Sequence, residues 1–328
     1  MALSRRSLLL GAGAVVLTAC SNSKDQPPAT TGPWEFTDDR GVKITRPSRP
    51  ATLVAQLSSA AALWDLGLRP VGTFGQSKKP DGTASDLAGN VDVTKVTSIS
   101  ETYGEFGLEK FAALKPDLLI APTYLTTELW YVPKESTAGI AAICPSLGIE
   151  HQLHSVDTVI DRYVALATAL GADLKAAPVV KAKEEFGAAS KAVTDQAAQQ
   201  KGLKVLFLSG GADGLYFGNP AAFMGLSQLQ KLGVGFVVPK VDPAKPTWES
   251  VSWELADKYP ADVILYDGRN TEPYLTDAAK YPTFARLPAV RAKQVFAFNP
   301  ETPPSWAQFA PVFRQFTTNL GTVRPVAG

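Results

Sequence analysis

Two aromatic residues, Tyr103 and Trp248, each stand six positions before a glutamate, Glu109 and Glu254, and each glutamate stands eight before an aspartate, Asp117 and Asp262. The first copy reads YGEFGLEKFAALKPDLLIAP, and the second reads WESVSWELADKYPADVILYDG about 145 residues later. In both, the aspartate opens a short apolar run that reads as a buried parallel strand. Large rings cover apolar or amide surface without ordering flexible side chains, and carboxylates make ion pairs. The duplication therefore predicts two similar α/β lobes, each offering one aromatic and one acid, with a ligand clamped between the aromatics. A single Pro-x-x-apolar strand would mean little; the match at both flanking positions carries the reading.

The residue types that would do covalent chemistry are sparse. The chain has two histidines, His151 and His154, too close together to serve separate roles in a Ser/His/Asp set. Zinc or manganese bound directly would want more imidazole or a carboxylate cluster, so no metal ligands are expected. Ser209-Gly210-Gly211-Ala212-Asp213-Gly214 follows a strand but has neither the Gly-x-Gly-x-x-Gly spacing nor a P-loop lysine. Cys144 precedes Pro145 with nothing nearby to activate a thiolate. No catalytic residue is assigned; an enzyme is the distant alternative.

The elements that must position the aromatics follow from periodicity and breakers. Residues 34–44 read as an entry hairpin. The first lobe continues with a strand over 52–57, a helix from Ser58 as N-cap to Leu66, Gly67 as its stop and a strand over 70–74. A helix near Ala138, a strand around His151 and a helix with apolar residues from Val156 to Leu170 complete it. Pro178 suits a first helical turn, and Val179, Phe186 and Val193 recur seven apart on a mostly solvated segment to Gln200. At 1.5 Å per residue it spans roughly 30 Å, a rod between lobes. The second lobe restates the order, with strands at 204–208 and 236–238 and an inserted loop, 210–220, carrying Tyr216 and Phe217. Loops at the carboxyl ends of parallel strands are where α/β folds hold ligands. The divisions are 1–19, 20–33, 34–172, 173–200 and 201–328.

The N-terminus sets the compartment. Arg5-Arg6 precede an apolar stretch from Leu8 to Leu17, and Leu17-Thr18-Ala19-Cys20 follows: an export signal too short for a permanent membrane span. The LTAC run resembles a lipobox with Cys20 as the lipidated first residue, and SRRSLL resembles a twin-arginine signal, although paired arginines also occur in ordinary Sec signals. Residues 21–33 are a polar tether. Cleavage leaves Cys144 as the one cysteine besides Cys20, so no intramolecular disulfide forms and a large core must stabilise the fold. The formal charge of +1 becomes −1 once Arg5 and Arg6 are removed. With no basic stripe, a nucleic-acid partner is not expected.

The paired motifs GLEKF…KPDLLIAP and VSWEL…PADVILYDG, the linker helix and the lipobox together resemble the iron-siderophore binding proteins of ABC importers, a helical-backbone family whose members also carry cobalamin and haem. The resemblance runs from about Thr52 to Phe298. GPWEFTDDRG and Leu129-Trp130-Tyr131-Val132-Pro133 are closer still to ferrioxamine-type lipoproteins. It implies two Rossmann-like lobes with central parallel sheets joined by a single long helix. It implies a monomer, tethered by lipid at the extracytoplasmic face, that captures a ferric hydroxamate and needs no cofactor, because iron arrives inside the ligand. Cobalamin, haem and other siderophore classes are the alternative ligands. Glu109 and Glu254 would meet arginines of the permease subunits. Tyr103 and Trp248 would form opposing pocket walls, joined by Tyr124, Trp130, Tyr131, Tyr216 and Trp306, the last expected in a Pro-rich loop after the final strand. Arg269 would approach the hydroxamate oxygens, while Arg69, Arg286 and Arg291 read as surface charges.

Overall fold

A computed structural model describes residues 31–79, 82–125, 127–211, 214–269 and 280–327. The export signal, Cys20 and most of the tether lie outside the described residues.

The entry hairpin pairs β1 (Thr31–Thr37) with β2 (Lys43–Ser48) antiparallel. Buried Asp38 anchors it, accepting hydrogen bonds from the backbone amides of Arg40, Val42 and Gly148.

The first lobe holds β3 (Leu53–Gln56), α1 (Leu57–Asp65), β4 (Gly72–Phe74), β5 (Thr97–Ser100), α2 (Leu108–Ala113), β6 (Leu118–Thr123), α3 (Thr137–Ile143) and β7 (Ser146–Glu150). Its strands lie in the order β5-β4-β3-β6-β7, all parallel. Leu53, Val54, Leu118, Leu119 and Ile120 are buried, as expected where helices cover both faces of a parallel sheet. The cap of α1 is Gln56, whose side chain accepts from the Ser58 amide; Ser58 is already inside the helix. Here Gln56 reaches back from the strand end to take the capping role, and the strand ends one residue early. Arg69 is not a free surface charge: it lies over the Trp64 ring at 4.4 Å and donates to two backbone carbonyls.

After α4 (Val156–Ala169), the connection between lobes is α5 (Ala177–Gln199), with proline in its first turn. Val179, Phe186, Ala189, Val193 and Ala197 form its buried stripe. This stripe packs along α9 (Trp306–Leu320), the last helix of the chain, with Phe186 and Phe313 ring centroids 5.6 Å apart.

The second lobe contains β8 (Val205–Gly211), β9 (Gly214–Gly218), α6 (Met224–Lys231), β10 (Trp248–Val251), β11 (Val263–Asp267), α7 (Pro282–Ala285), α8 (Pro288–Arg291) and β12 (Val295–Phe298) before α9. The order is β10-β9-β8-β11-β12; β8, β11 and β12 are parallel, and β9 runs antiparallel to both of its neighbours, β8 and β10. Two expectations are corrected here. The inserted loop is instead mostly strand: β9 folds back on β8, so Phe217 enters the core while Tyr216 points to the other face of the sheet. The strand expected at 236–238 is reduced to a single bridge, Val205 to Phe236, because the hairpin occupies the rest of that edge of β8.

The repeated aspartates have one job. Asp117 accepts from the amides of Ala51 and Thr52, just ahead of β3. Asp262 accepts from Lys204, just ahead of β8, and also from Val326 and Ala327. Each carboxylate accepts from the amides where its lobe's central strand begins. Among the described residues no helix is long and apolar enough to cross a membrane.

Candidate functional site

A cavity of about 230 Å³ lies between the lobes, lined by Tyr124, Trp130, His151 and Gln152 from the first and by Phe223, Met224, Thr247, Trp248, Arg269 and Glu301 among others from the second. Its first wall is built by the segment after β6. The Trp130 amide returns to the Pro122 carbonyl at 2.8 Å, folding the segment over the strand end. Tyr131 adopts a left-handed conformation, φ 66°, which costs a non-glycine residue roughly 1 kcal/mol. This turn sets Trp130 edge-on to Tyr124 at 5.1 Å and brings Tyr103 within 5.0 Å of Trp130 and 5.2 Å of Tyr131.

The second wall is Trp248, the first residue of β10. It lies tilted over Phe207 at 5.4 Å and edge-on to Phe223 at 5.0 Å. Gly218, its partner on β9, has no room for a β-carbon: one would sit 2.4 Å from Phe207 and 3.0 Å from Trp248. The floor is bridged by Gln152, whose Nε2 donates to Thr247 Oγ1 at 2.7 Å.

Tyr103 does not oppose Trp248 directly. It is 61% exposed and lines a neighbouring cavity of about 440 Å³ with Tyr124, Trp130, Tyr131 and Glu128. The two cavities share Tyr124 and Trp130, so Trp248 faces those two rings and Tyr103 extends the aromatic wall outward. Tyr216 lines neither cavity; it pairs with Ser250 and Ser209 on the sheet face that carries Trp248. Trp306 is the first residue of α9, not part of a loop. Its ring is covered by Lys183 of α5 at 5.2 Å, on the side of the connecting helix, so it is absent from both cavity walls.

Arg269 reaches the cavity, but two carboxylates occupy much of it. Its Nε and Nη2 donate to buried Asp267, and its Nη1 donates to Glu301 Oε1 at 2.6 Å. Burial alone would lower its pKa; these partners raise it instead. The corner is one cation against two anions. The phenols behave otherwise: burial, with Glu301 nearby, pushes the pKa of Tyr124 and of Tyr131 up, so both remain protonated donors. Burial drives His151 down to about 3, leaving it neutral.

Spacing did not point to His151, Gln152, Phe223, Thr247 or Glu301. His151 and Gln152 follow the carboxyl end of a parallel strand, the one signal that marks them. Among the described residues no group of three His, Cys, Asp or Glu is disposed to hold a metal ion.

Glu109 and Glu254 are exposed, one per lobe, and among the described residues neither forms an ion pair. Glu109 lies in the first turn of α2. Glu254 lies in a single 3₁₀ turn, Trp253–Leu255, and Ser252 makes no capping hydrogen bond there. The Ser252 hydroxyl bonds Glu254 instead and holds its carboxyl below the usual range. Trp253 beside it is buried, stacked on Tyr281 at 3.9 Å and bonded through Nε1 to the Gly211 carbonyl.

Two parallel-rich lobes on one connecting helix, with a cavity walled by both, define a binding protein of the helical-backbone class. The chain belongs to the periplasmic binding protein family, whose model matches residues 54–302. It is similar to DesE, a ferric-siderophore receptor protein from Streptomyces coelicolor, with 34% identity and a TM-score of 0.80 over 90% of this chain and 100% of that one. The Fe(3+)-citrate-binding protein YfmC of Bacillus subtilis (strain 168) is 25% identical over 304 residues, 90% of this chain and 88% of its relative. FhuD2 from Staphylococcus aureus, solved with bound ferrioxamine B, shares the fold at 18% identity and a TM-score of 0.54, over 82% of this chain and 98% of that one.

Proposed function

We propose that this protein captures a ferric hydroxamate siderophore outside the cytoplasm and delivers it to an ABC importer. The observation that carries the reading is the inter-lobe cavity and its neighbour, walled by Trp248, Tyr124, Trp130, Tyr103 and Tyr131, with phenols for donors and, in the inter-lobe cavity, Arg269 matched by two carboxylates. A trihydroxamate fills iron's coordination sphere itself and presents methylene and amide surface, which rings cover and phenols and amides can hydrogen-bond. The kinship with a ferric-siderophore receptor supports the same class of cargo.

Ferric citrate is the second reading, favoured by the likeness to YfmC. A polyanionic complex calls for several free cations, whereas Arg269 is matched by Asp267 and Glu301. Cobalamin and haem remain further comparators. In this reading Cys20 carries the lipid that holds the protein at the membrane, and Glu109 and Glu254 engage the permease. Export, through either the twin-arginine or the Sec route, and a monomeric working state complete it.

Titration of intrinsic tryptophan fluorescence with ferrioxamine B, ferric citrate, ferric enterobactin, cobalamin and haem tests the cargo. Saturable quenching at the lowest concentration by ferrioxamine B is expected. Tight binding of ferric citrate or enterobactin with none of ferrioxamine B would overturn the proposal.

A further inference from the structure

Beneath the cavity runs a buried chain of three polar groups. The Ser59 hydroxyl on α1 lies 2.6 Å from the Tyr163 hydroxyl on α4, and Tyr163 lies 3.0 Å from Nε2 of His151. All three residues are buried, His151 at 2% exposure, and His151 is also part of the cavity lining. Tyr124 meets its ring edge-on at 5.7 Å.

The direction of this chain follows from counting protons. If His151 Nε2 donated to Tyr163, Tyr163 would donate to Ser59, and the Ser59 proton would have no acceptor among the described residues. A buried hydroxyl left in that state is penalised. In the opposite direction Ser59 donates to Tyr163 and Tyr163 donates to Nε2, so both buried hydroxyl protons have acceptors and the proton left over is the ring's own, on a side chain that lines the cavity. The ring is neutral, so accepting at Nε2 fixes its one proton on Nδ1. Nδ1 has no hydrogen-bond partner among the described residues, and the cavity is where His151 retains exposure.

We infer that His151 is a specificity-determining ligand contact, its Nδ1–H held by Ser59 and Tyr163 as a donor for an oxygen acceptor of the cargo at the cavity floor. Tyr163 is then a positioning residue, acting through His151 without touching ligand. The class of acceptor, a hydroxamate or amide oxygen, rests on the function proposed above; the proton's location does not.

With two histidines in the chain, long-range ¹H–¹⁵N correlation spectra of the full chain resolve His151 from exposed His154. His151 should show a protonated Nδ1 and an unprotonated Nε2; the reverse tautomer would overturn the inference. Tyr163→Phe should release the preference and mix the tautomers, whereas an unchanged Nδ1–H form would remove Tyr163 from the role. Gallium(III)-ferrioxamine B, diamagnetic and of the same shape as the ferric complex, should shift the Nδ1–H resonance. Binding seen by tryptophan fluorescence without that shift refutes the contact while leaving the proposed cargo intact. Absence of any binding refutes the cargo while the tautomer still reports on the chain of protons. His151→Phe should weaken ferrioxamine B by roughly 3- to 10-fold, the range for one hydrogen bond; unchanged affinity in a folded variant counts against the contact.

Discussion

Gln152 and Thr247 join the two lobes by a hydrogen bond of 2.7 Å on the cavity floor. The bond does not stand alone. On one flank Lys231 reaches Asp157 at 2.6 Å, and on the other the Ser305 hydroxyl and Gln308 both reach Asp65. With α5 as the connecting element, packed along α9, the lobes are tied at the floor, at both flanks and by a continuous helix.

Cargo binding is therefore expected to close the lobes very little. Small-angle scattering with and without ferrioxamine B should give nearly superimposable profiles. A contraction of several ångströms in radius of gyration would show that these ties yield.

Asp262 links the fold to pH. Burial pushes its carboxyl up, but the amides of Ala327, Lys204 and Val326 outweigh that and leave it below the usual value. A depressed folded pKa contributes stability that is complete above the unfolded value and lost as pH falls through the folded one. Asp262→Asn should thus cost about 1–3 kcal/mol at pH 7, the scale of hydrogen bonds to a charged group. The difference between the two proteins should shrink once pH drops below roughly 4, near the unfolded carboxylate pKa. Urea unfolding at pH 7 and pH 3 measures both numbers, and a gap that stays constant between them would contradict the assignment.

Legibility in the sequence tracked how locally each feature is specified. The repeat announced both lobes because its aspartate and apolar run are a local signal, and helix α5 was legible from its seven-residue stripe and its proline. The β9 hairpin was not: its glycines spell a loop, and only pairing with β8 turns Tyr216 away and buries Phe217. Trp306 was misplaced although Ser305 and Gln308 spell a capping motif, with the Ser305 hydroxyl accepting from the Gln308 amide. Pro303, Pro304 and Pro311 hid that helix start behind the look of a loop. Spacing singled out Tyr103 and Trp248 but not which ring faces which, because the left-handed turn at Tyr131 sets that arrangement.

The lipobox reading makes Cys20 the anchor. Cys20→Ala should leave ferrioxamine B binding unchanged and move the protein from the membrane fraction to the soluble one. Retention of the variant on membranes after a high-salt wash would rule the lipid anchor out.

Glu109 and Glu254 should serve delivery alone. Both are exposed, and neither lines a cavity described above. The double change to alanine should preserve ferrioxamine B affinity in the purified protein and impair iron uptake in cells. A loss of affinity in the purified variant would place the acids in the cleft.

Trp248 and Trp253 separate binding from folding within five residues of each other. Trp248 is half-buried and forms a cavity wall; Trp253 is buried, away from that cavity, under Tyr281 and against Phe284. Trp248→Ala should cost roughly 2–4 kcal/mol of binding free energy, as for interface hot spots. That is about 30- to 1,000-fold in affinity. Its core partners Phe207 and Phe223 keep contacts of their own, so stability should change less. Trp253→Ala should instead destabilise the fold by about 3–5 kcal/mol, the usual result of emptying a core aromatic site, with little change in affinity for the fraction that stays folded. Denaturant melts and fluorescence titrations of both variants read the two effects separately. Equal losses of affinity from the two changes would mean that the wall is not where Trp248 stands.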